Sequence, residues 1–127
     1  MNLALAVAIV LLVVIGAAHS YLGERYILMR LFRRPLPPLF GSDVFTRRTL
    51  RFAWHITTIA WWGAAATLWA LASGSARDGI LAVSATFAVS AAVALIGSRG
   101  RHLAWLVFAI IAVAAWLGAP AARIYMR

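Results

Sequence analysis

No cysteine and no lysine occur in these 127 residues, and the only acidic side chains are Glu24, Asp43 and Asp78. The first absence excludes disulfides, thiolate metal sites and cysteine nucleophiles, so the compartment has to be read from topology instead. The shortage of carboxylates leaves twelve arginines largely uncompensated, at a formal charge of +9. That all of the positive charge is arginine reads as a compositional bias rather than a mechanism. Charge of either sign is scarce: 12% of residues carry one, against about a quarter in a soluble domain. A chain so poor in charge is not built for water.

What is present is apolar. Hydrophobic residues make up 65% of the chain, and the mean hydropathy is +0.91. A bilayer span takes roughly 20 apolar residues, so four spans would use most of the length and leave no room for a soluble domain. The pattern predicts an all-α integral membrane protein: a single membrane domain, a bundle of four transmembrane helices with an amphipathic interfacial helix between the first two. The spans fall at about residues 3–22, 50–72, 78–97 and 102–119, and the interfacial segment at 24–42. The two short connections, at residues 73–78 and 98–102, make neighbouring helices antiparallel.

The first run has a competing reading as a signal peptide, with Gly16-Ala17-Ala18 offering small residues for cleavage. It lacks a positively charged start, and it is longer than the usual apolar stretch of about 7–15 residues. The arginines speak for a retained span. Arg25, Arg30, Arg33, Arg34, Arg47, Arg48 and Arg51 lie between the first and second runs, and basic residues stay on the cytoplasmic side. With Arg99 and Arg101 this puts nine arginines inside, against Arg77, Arg123 and Arg127 outside. The expectation is a bacterial inner-membrane protein with both termini non-cytoplasmic. Arginines placed between apolar runs fit anionic lipid headgroups as partners and argue against nucleic acid.

On a helix continuing from the first span, Ile27, Leu28, Met29, Leu31 and Phe32 share one arc and Arg30, Arg33 and Arg34 the opposite one, the pattern of an interfacial segment. Pro35, Pro37 and Pro38 end it, and Gly41-Ser42-Asp43 predicts a turn with Asp43 capping the next helix.

All three histidines fall at the arginine-rich end. His19 closes the first span, His55 opens the second and His102 opens the fourth. Three imidazoles from different helices are the raw material of a bundle metal site, so His19, His55 and His102 are candidate ligands. Glu24, about 140° from His19 on a regular helix, would join them only through a kink at Gly23; otherwise it should pair with Arg48 or Arg51. His19 shares a face with Gly16, Ser20 and Gly23, and His55 a stripe with Arg48, Arg51, Thr58 and Trp62. The candidate ligand-binding residues are therefore His19, Glu24, Arg51 and His55. No catalytic residue and no cofactor is predicted. Trp54 and Trp105 belong near the interface, and Trp61 and Trp62 deeper, where their N–H groups need partners.

The middle of the membrane is almost bare of polar groups. The centres of the first and fourth spans are wholly apolar, and Thr57, Thr58, Thr67, Ser84, Thr86 and Ser90 can bond to their own helix backbone. Small residues at Ser84, Ala88, Ala92 and at Ser90, Ala94, Ser98 predict a third helix at the bundle centre or at a subunit seam. The leading functional expectation is an accessory or binding subunit whose His/Arg/Glu site lies at the cytoplasmic interface. It would take a partner, a lipid headgroup or a small ligand, as a homo-oligomer or with a membrane-protein partner. A small oligomeric transporter or channel is the alternative, and a metal- or quinone-binding redox protein the third.

Overall fold

The computed structural model describes residues 3–121, and Arg123 and Arg127 of the outer charge count lie outside them. The described chain is all-helical: α1 (Leu3–Leu31), α2 (Val44–Ala72), α3 (Ala76–Ser98) and α4 (Ala104–Gly118). Two of these, α1 and α3, are long and apolar enough to cross a membrane. The other two fall short of that test in different ways. The 15 residues of α4 are apolar throughout but extend only about 22 Å at 1.5 Å per residue. The 29 residues of α2 are ample in length, yet its arginines, threonines and tryptophans hold its hydropathy down.

The helices alternate in direction and form an open row. Backbones approach closely only between chain neighbours: α1 on α2, α2 on α3, α3 on α4. This departs from a bundle closed around one core, because no approach of α1 to α4 completes the ring. The consequence is a thin interior and a largely apolar surface. Among large hydrophobic side chains, Val10, Leu11, Val14 and Ile15 on α1, and Ile110, Val113, Trp116 and Leu117 on α4, are all more than half exposed. Monomeric soluble proteins rarely expose apolar surface of this extent, and where it occurs it marks a face for protein or lipid.

The inner helices meet through small residues. Gly63 lies against Thr86 and Gly97 against Phe52, so α2 and α3 pack with little between their backbones. Of the two small-residue stripes on α3, the one at Ser90, Ala94 and Ser98 is buried, whereas Ala88 and Ala92 face outward. Spacing by four is shared by both stripes; what separates them is that α3 has neighbours on two sides only. Ser84 reaches α4, donating to the Ala112 carbonyl at 2.7 Å.

Each turn has its own chemistry. After α2 the chain reverses at Gly74 (φ 79°), and Ser75 caps α3 by accepting the Asp78 N–H at 3.1 Å. After α3, Arg99 and Gly100 both take left-handed conformations.

The first connection adds one feature and departs from expectation at one residue. As the apolar arc required, α1 continues through the segment, but it switches to the wider π winding over Gly23–Leu28. Of the arc's residues Leu28 is buried, and Ile27, Met29 and Leu31 are exposed. The departure is Asp43, which stands at the start of α2 without capping it. Its carboxylate instead accepts from Arg47 Nε (2.8 Å) and from the Leu36 N–H (3.3 Å). Arg47 in turn donates to the Phe32 and Arg34 carbonyls, tying the proline segment down onto α2.

Candidate functional site

Glycine–tryptophan pairs bring α1 and α2 together. A Cβ on Gly16 would stand 2.6 Å from Trp62 Nε1, and one on Gly23 would overlap the Trp54 indole, so both glycines exist as space for a ring. Each indole uses that space to donate to α1: Trp62 to the Val13 carbonyl and Trp54 to the His19 carbonyl, both at 3.1 Å. A helical carbonyl can accept a second bond because it has two lone pairs.

Between the rings lies a polar chain. Ser20 and Glu24, four residues apart on α1, face Arg51, His55 and Thr58 of α2. Glu24 Oε1 holds Arg51 at 2.8 Å, and Glu24 Oε2 accepts from Arg51 Nε at 3.2 Å and from His55 Nε2 at 3.3 Å. On the far side of the imidazole, His55 Nδ1 is 2.8 Å from Ser20 Oγ. Ser20 Oγ also lies 2.9 Å from Thr58 Oγ1, which is 3.1 Å from the Gly16 carbonyl.

The chemistry assigns the protons. An ionised carboxylate only accepts, so the nitrogen facing Glu24, His55 Nε2, carries the hydrogen. In the neutral ring Nδ1 is then the acceptor, and the Ser20 hydroxyl donates to it. The Thr58 proton is left to the Gly16 carbonyl or to Ser20 Oγ. The cluster is open on one side: the side chains of Arg51, Glu24 and His55 are 51%, 32% and 33% exposed.

His19 belongs to a different set of neighbours. Its ring stacks on Trp54 (4.5 Å between centroids, 3° between planes) and meets the edge of Trp61 at 4.9 Å. Thr57 Oγ1 lies 2.8 Å from His19 Nε2 and donates to the Trp54 carbonyl at 2.6 Å, so it accepts the His19 N–H. His102 is elsewhere again. Its Nδ1 accepts the Ala104 N–H at the start of α4, and its ring rests on Phe45 and Phe52. The three histidines therefore share an end of the molecule without converging, and among the described residues no three His, Cys, Asp or Glu side chains group around a common point. The structure thus joins Glu24, Arg51 and His55, seats His19 behind Trp54, and leaves His102 on its own.

Comparisons with family models, with curated proteins and with solved structures return no match for this chain. What the site does must be argued from its own atoms.

Ser20 and Thr58 are the residues that sequence reasoning placed on the right faces but did not assign to the site. Their signal was spacing: Ser20 is one turn from Glu24, and Thr58 one turn from His55. Nothing in the sequence singled out Trp54 as the ring dividing His19 from the cluster. Nearby, the Arg47 guanidinium hydrogen-bonded to Asp43 holds that carboxyl below its ordinary value of 3.8, and Asp43 raises Arg47 in return.

Proposed function

We propose that the chain is a four-span integral membrane protein that acts as an accessory or binding subunit. Its working site is the α1–α2 seam formed by Glu24, Arg51 and His55, with His19 beside it. One observation carries this reading. Every side-chain to side-chain hydrogen bond or ion pair between two helices, among the described residues, falls in this seam. Elsewhere most hydroxyls of the helix interiors are spent on backbone carbonyls, as with Thr67 on Gly63, Thr86 on Ala82 and Ser90 on Thr86, and the buried Thr49 hydroxyl has no partner among the described residues. A half-open cluster offering an arginine fork, a carboxylate and an imidazole suits a polar group presented at the membrane surface by a partner, a lipid headgroup or a small ligand.

The membrane reading draws on the two span-length helices, on the exposed apolar faces of α1 and α4, and on the gathering of nine arginines and all the histidines at one end. By the positive-inside rule that end faces the cytoplasm of a bacterial inner membrane, with both termini on the other side. The open row favours a further partner, a second copy or another membrane protein, beside α1 or α4. A permeation path finds no support in hydroxyls mostly bonded to backbone carbonyls, and a metal centre none in histidines that point apart.

Replacing both His19 and His55 by alanine tests the site. Expression and thermal stability should survive largely intact, while co-purification of lipid or of a partner membrane protein falls. If lipid content and partner recovery matched the parent chain, the site reading would be wrong.

A further inference from the structure

Three acidic residues are available, and each is committed to an arginine. Glu24 holds Arg51, Asp43 holds Arg47, and Asp78 lies 3.9 Å from Arg77 at the opposite end. Arg48 is left over. It is half-buried near the start of α2, yet it makes no hydrogen bond or ion pair with any described residue. A guanidinium in that position is a cation awaiting an anion.

Arg48 stands where two hollows meet. One, of about 230 Å³, is walled by Arg48, Arg99 and Arg101 together with Ser98, and no carboxylate borders it. The other, of about 310 Å³, runs between α2 and α3 over Phe52, Val93 and Ile96, with Arg48 again in its lining and Arg51 and His55 on its α2 side. The first is cationic, the second largely apolar, and one side chain belongs to both. Arg99, in the wall of the first hollow, has a left-handed backbone (φ 52°), a conformation uncommon for a side chain of that size.

We propose that this two-part groove binds an anionic phospholipid, with its phosphate among Arg48, Arg99 and Arg101 and an acyl chain laid along Phe52, Val93 and Ile96. The proposal rests on the membrane reading above; the acyl slot borders the Glu24–His55 cluster through Arg51 and His55, whereas the phosphate end shares no residue with it. Charge complementarity selects the headgroup: three guanidiniums without a counter-ion favour a phosphate ester that carries net charge over a zwitterionic one. The Arg48 side chain shared by the two hollows selects the amphiphile over free phosphate, which would leave the apolar slot unfilled. The slot exists because α3 carries glycine at position 97, where a Cβ would stand 2.7 Å from the Phe52 Cβ and force the phenyl group outward.

The test uses the full chain purified in a neutral detergent and titrated with dioctanoyl phosphatidylglycerol, dioctanoyl phosphatidylcholine and inorganic phosphate. Phosphatidylglycerol should bind roughly tenfold or more tighter than phosphatidylcholine, and Arg48→Gln should remove about fivefold of that preference, as should each of Arg99→Gln and Arg101→Gln. Ile96→Gln, at an exposed position that the fold does not depend on, should weaken both lipids. Arg30→Gln and Arg33→Gln, on the other side of the same end, should change neither. Equal affinity for the two lipids, full competition by inorganic phosphate, an unaltered Ile96→Gln, or an equal loss in the Arg30 and Arg33 variants would each overturn the site. An alkaline wash of membranes containing the protein reads the membrane assignment by itself. A chain that stays in the pellet but does not discriminate between the lipids would sink this inference alone.

Discussion

At the scale of single residues, the distinctive feature is a histidine whose two nitrogens have been given different jobs. Glu24 fixes the proton on His55 Nε2, and Ser20 takes up the lone pair on Nδ1. A second-layer carboxylate that sets a tautomer in this way is a common means of keeping one imidazole nitrogen basic and aimed. The expected spectrum is specific. Long-range nitrogen–proton correlation of neutral His55 should show the Nε2–H tautomer in the parent chain. In Glu24→Ala a mixture with Nδ1–H should appear, because the only group demanding a donor from Nε2 has gone. Arg51 would lose its partner too, but a pair this exposed contributes only about 0.2–1 kcal/mol, so the variant should fold. An unchanged tautomer in Glu24→Ala would show that Ser20 and Thr58 alone orient the ring, and that Glu24 has no positioning role.

At the scale of elements, what the sequence made legible was the part written in periodicity, and what it hid was the part written in geometry. Four helices, their short turns and the glycine face of α1 could all be read from apolar runs and small residues. Pairing of Glu24 with Arg51 was legible as well, because a lone acid beside a row of arginines has few alternatives. The π turn was not: a run such as Gly23-Glu24-Arg25-Tyr26 has the composition of an ordinary helix, and it is the Trp54 ring pressed against Gly23 that accompanies the change in winding. Nor was the role of Asp43, since an aspartate directly before a helix satisfies the capping rule whether or not its carboxylate turns inward. It turns to Arg47 and Leu36 instead, and the proline segment is closed by that clamp. Because Arg47 lowers the Asp43 pKa, the clamp's contribution is complete above pH 3.8 and fades as pH falls from there toward the depressed folded value. Exchange protection of the Leu36 amide, corrected for intrinsic rate, should therefore hold from neutral pH down to about pH 4 and drop in stronger acid. Asp43→Asn should lower it across the whole range. Protection that survives in Asp43→Asn would mean that the prolines order the segment unaided.

At the scale of the whole molecule, orientation is the property from which the others follow, and the missing cysteines make it measurable. With no native thiol anywhere in the chain, a single introduced cysteine is the sole target of a maleimide, and its accessibility in intact cells reports one location. Ser42 and Ser73 are both exposed, and they lie in turns at opposite ends of α2. Neither substitution disturbs a glycine turn, and the most that Ser73 gives up is its hydroxyl bond to the Trp69 carbonyl. If the arginine-rich end is cytoplasmic, Ser73→Cys should react with a membrane-impermeant maleimide in intact spheroplasts, and Ser42→Cys only after lysis. The reverse pattern would invert the topology and move the Glu24–His55 cluster and the Arg48 groove to the outer face, where anionic lipid of the inner leaflet could not reach them. Equal labelling of both in intact cells would remove the span between them. The distance favours a clear answer: 29 residues at about 1.5 Å each put the ends of α2 roughly 44 Å apart, more than the roughly 30 Å thickness of the hydrocarbon core. If α2 crosses the membrane, it projects beyond the core by several residues, and its first turns are where Arg47, Arg48 and Arg51 stand. The length of α2 and the position of its charges thus require the same thing of the labelling experiment, that the Ser42 end lie in the headgroup layer of the leaflet whose lipids the arginines would hold.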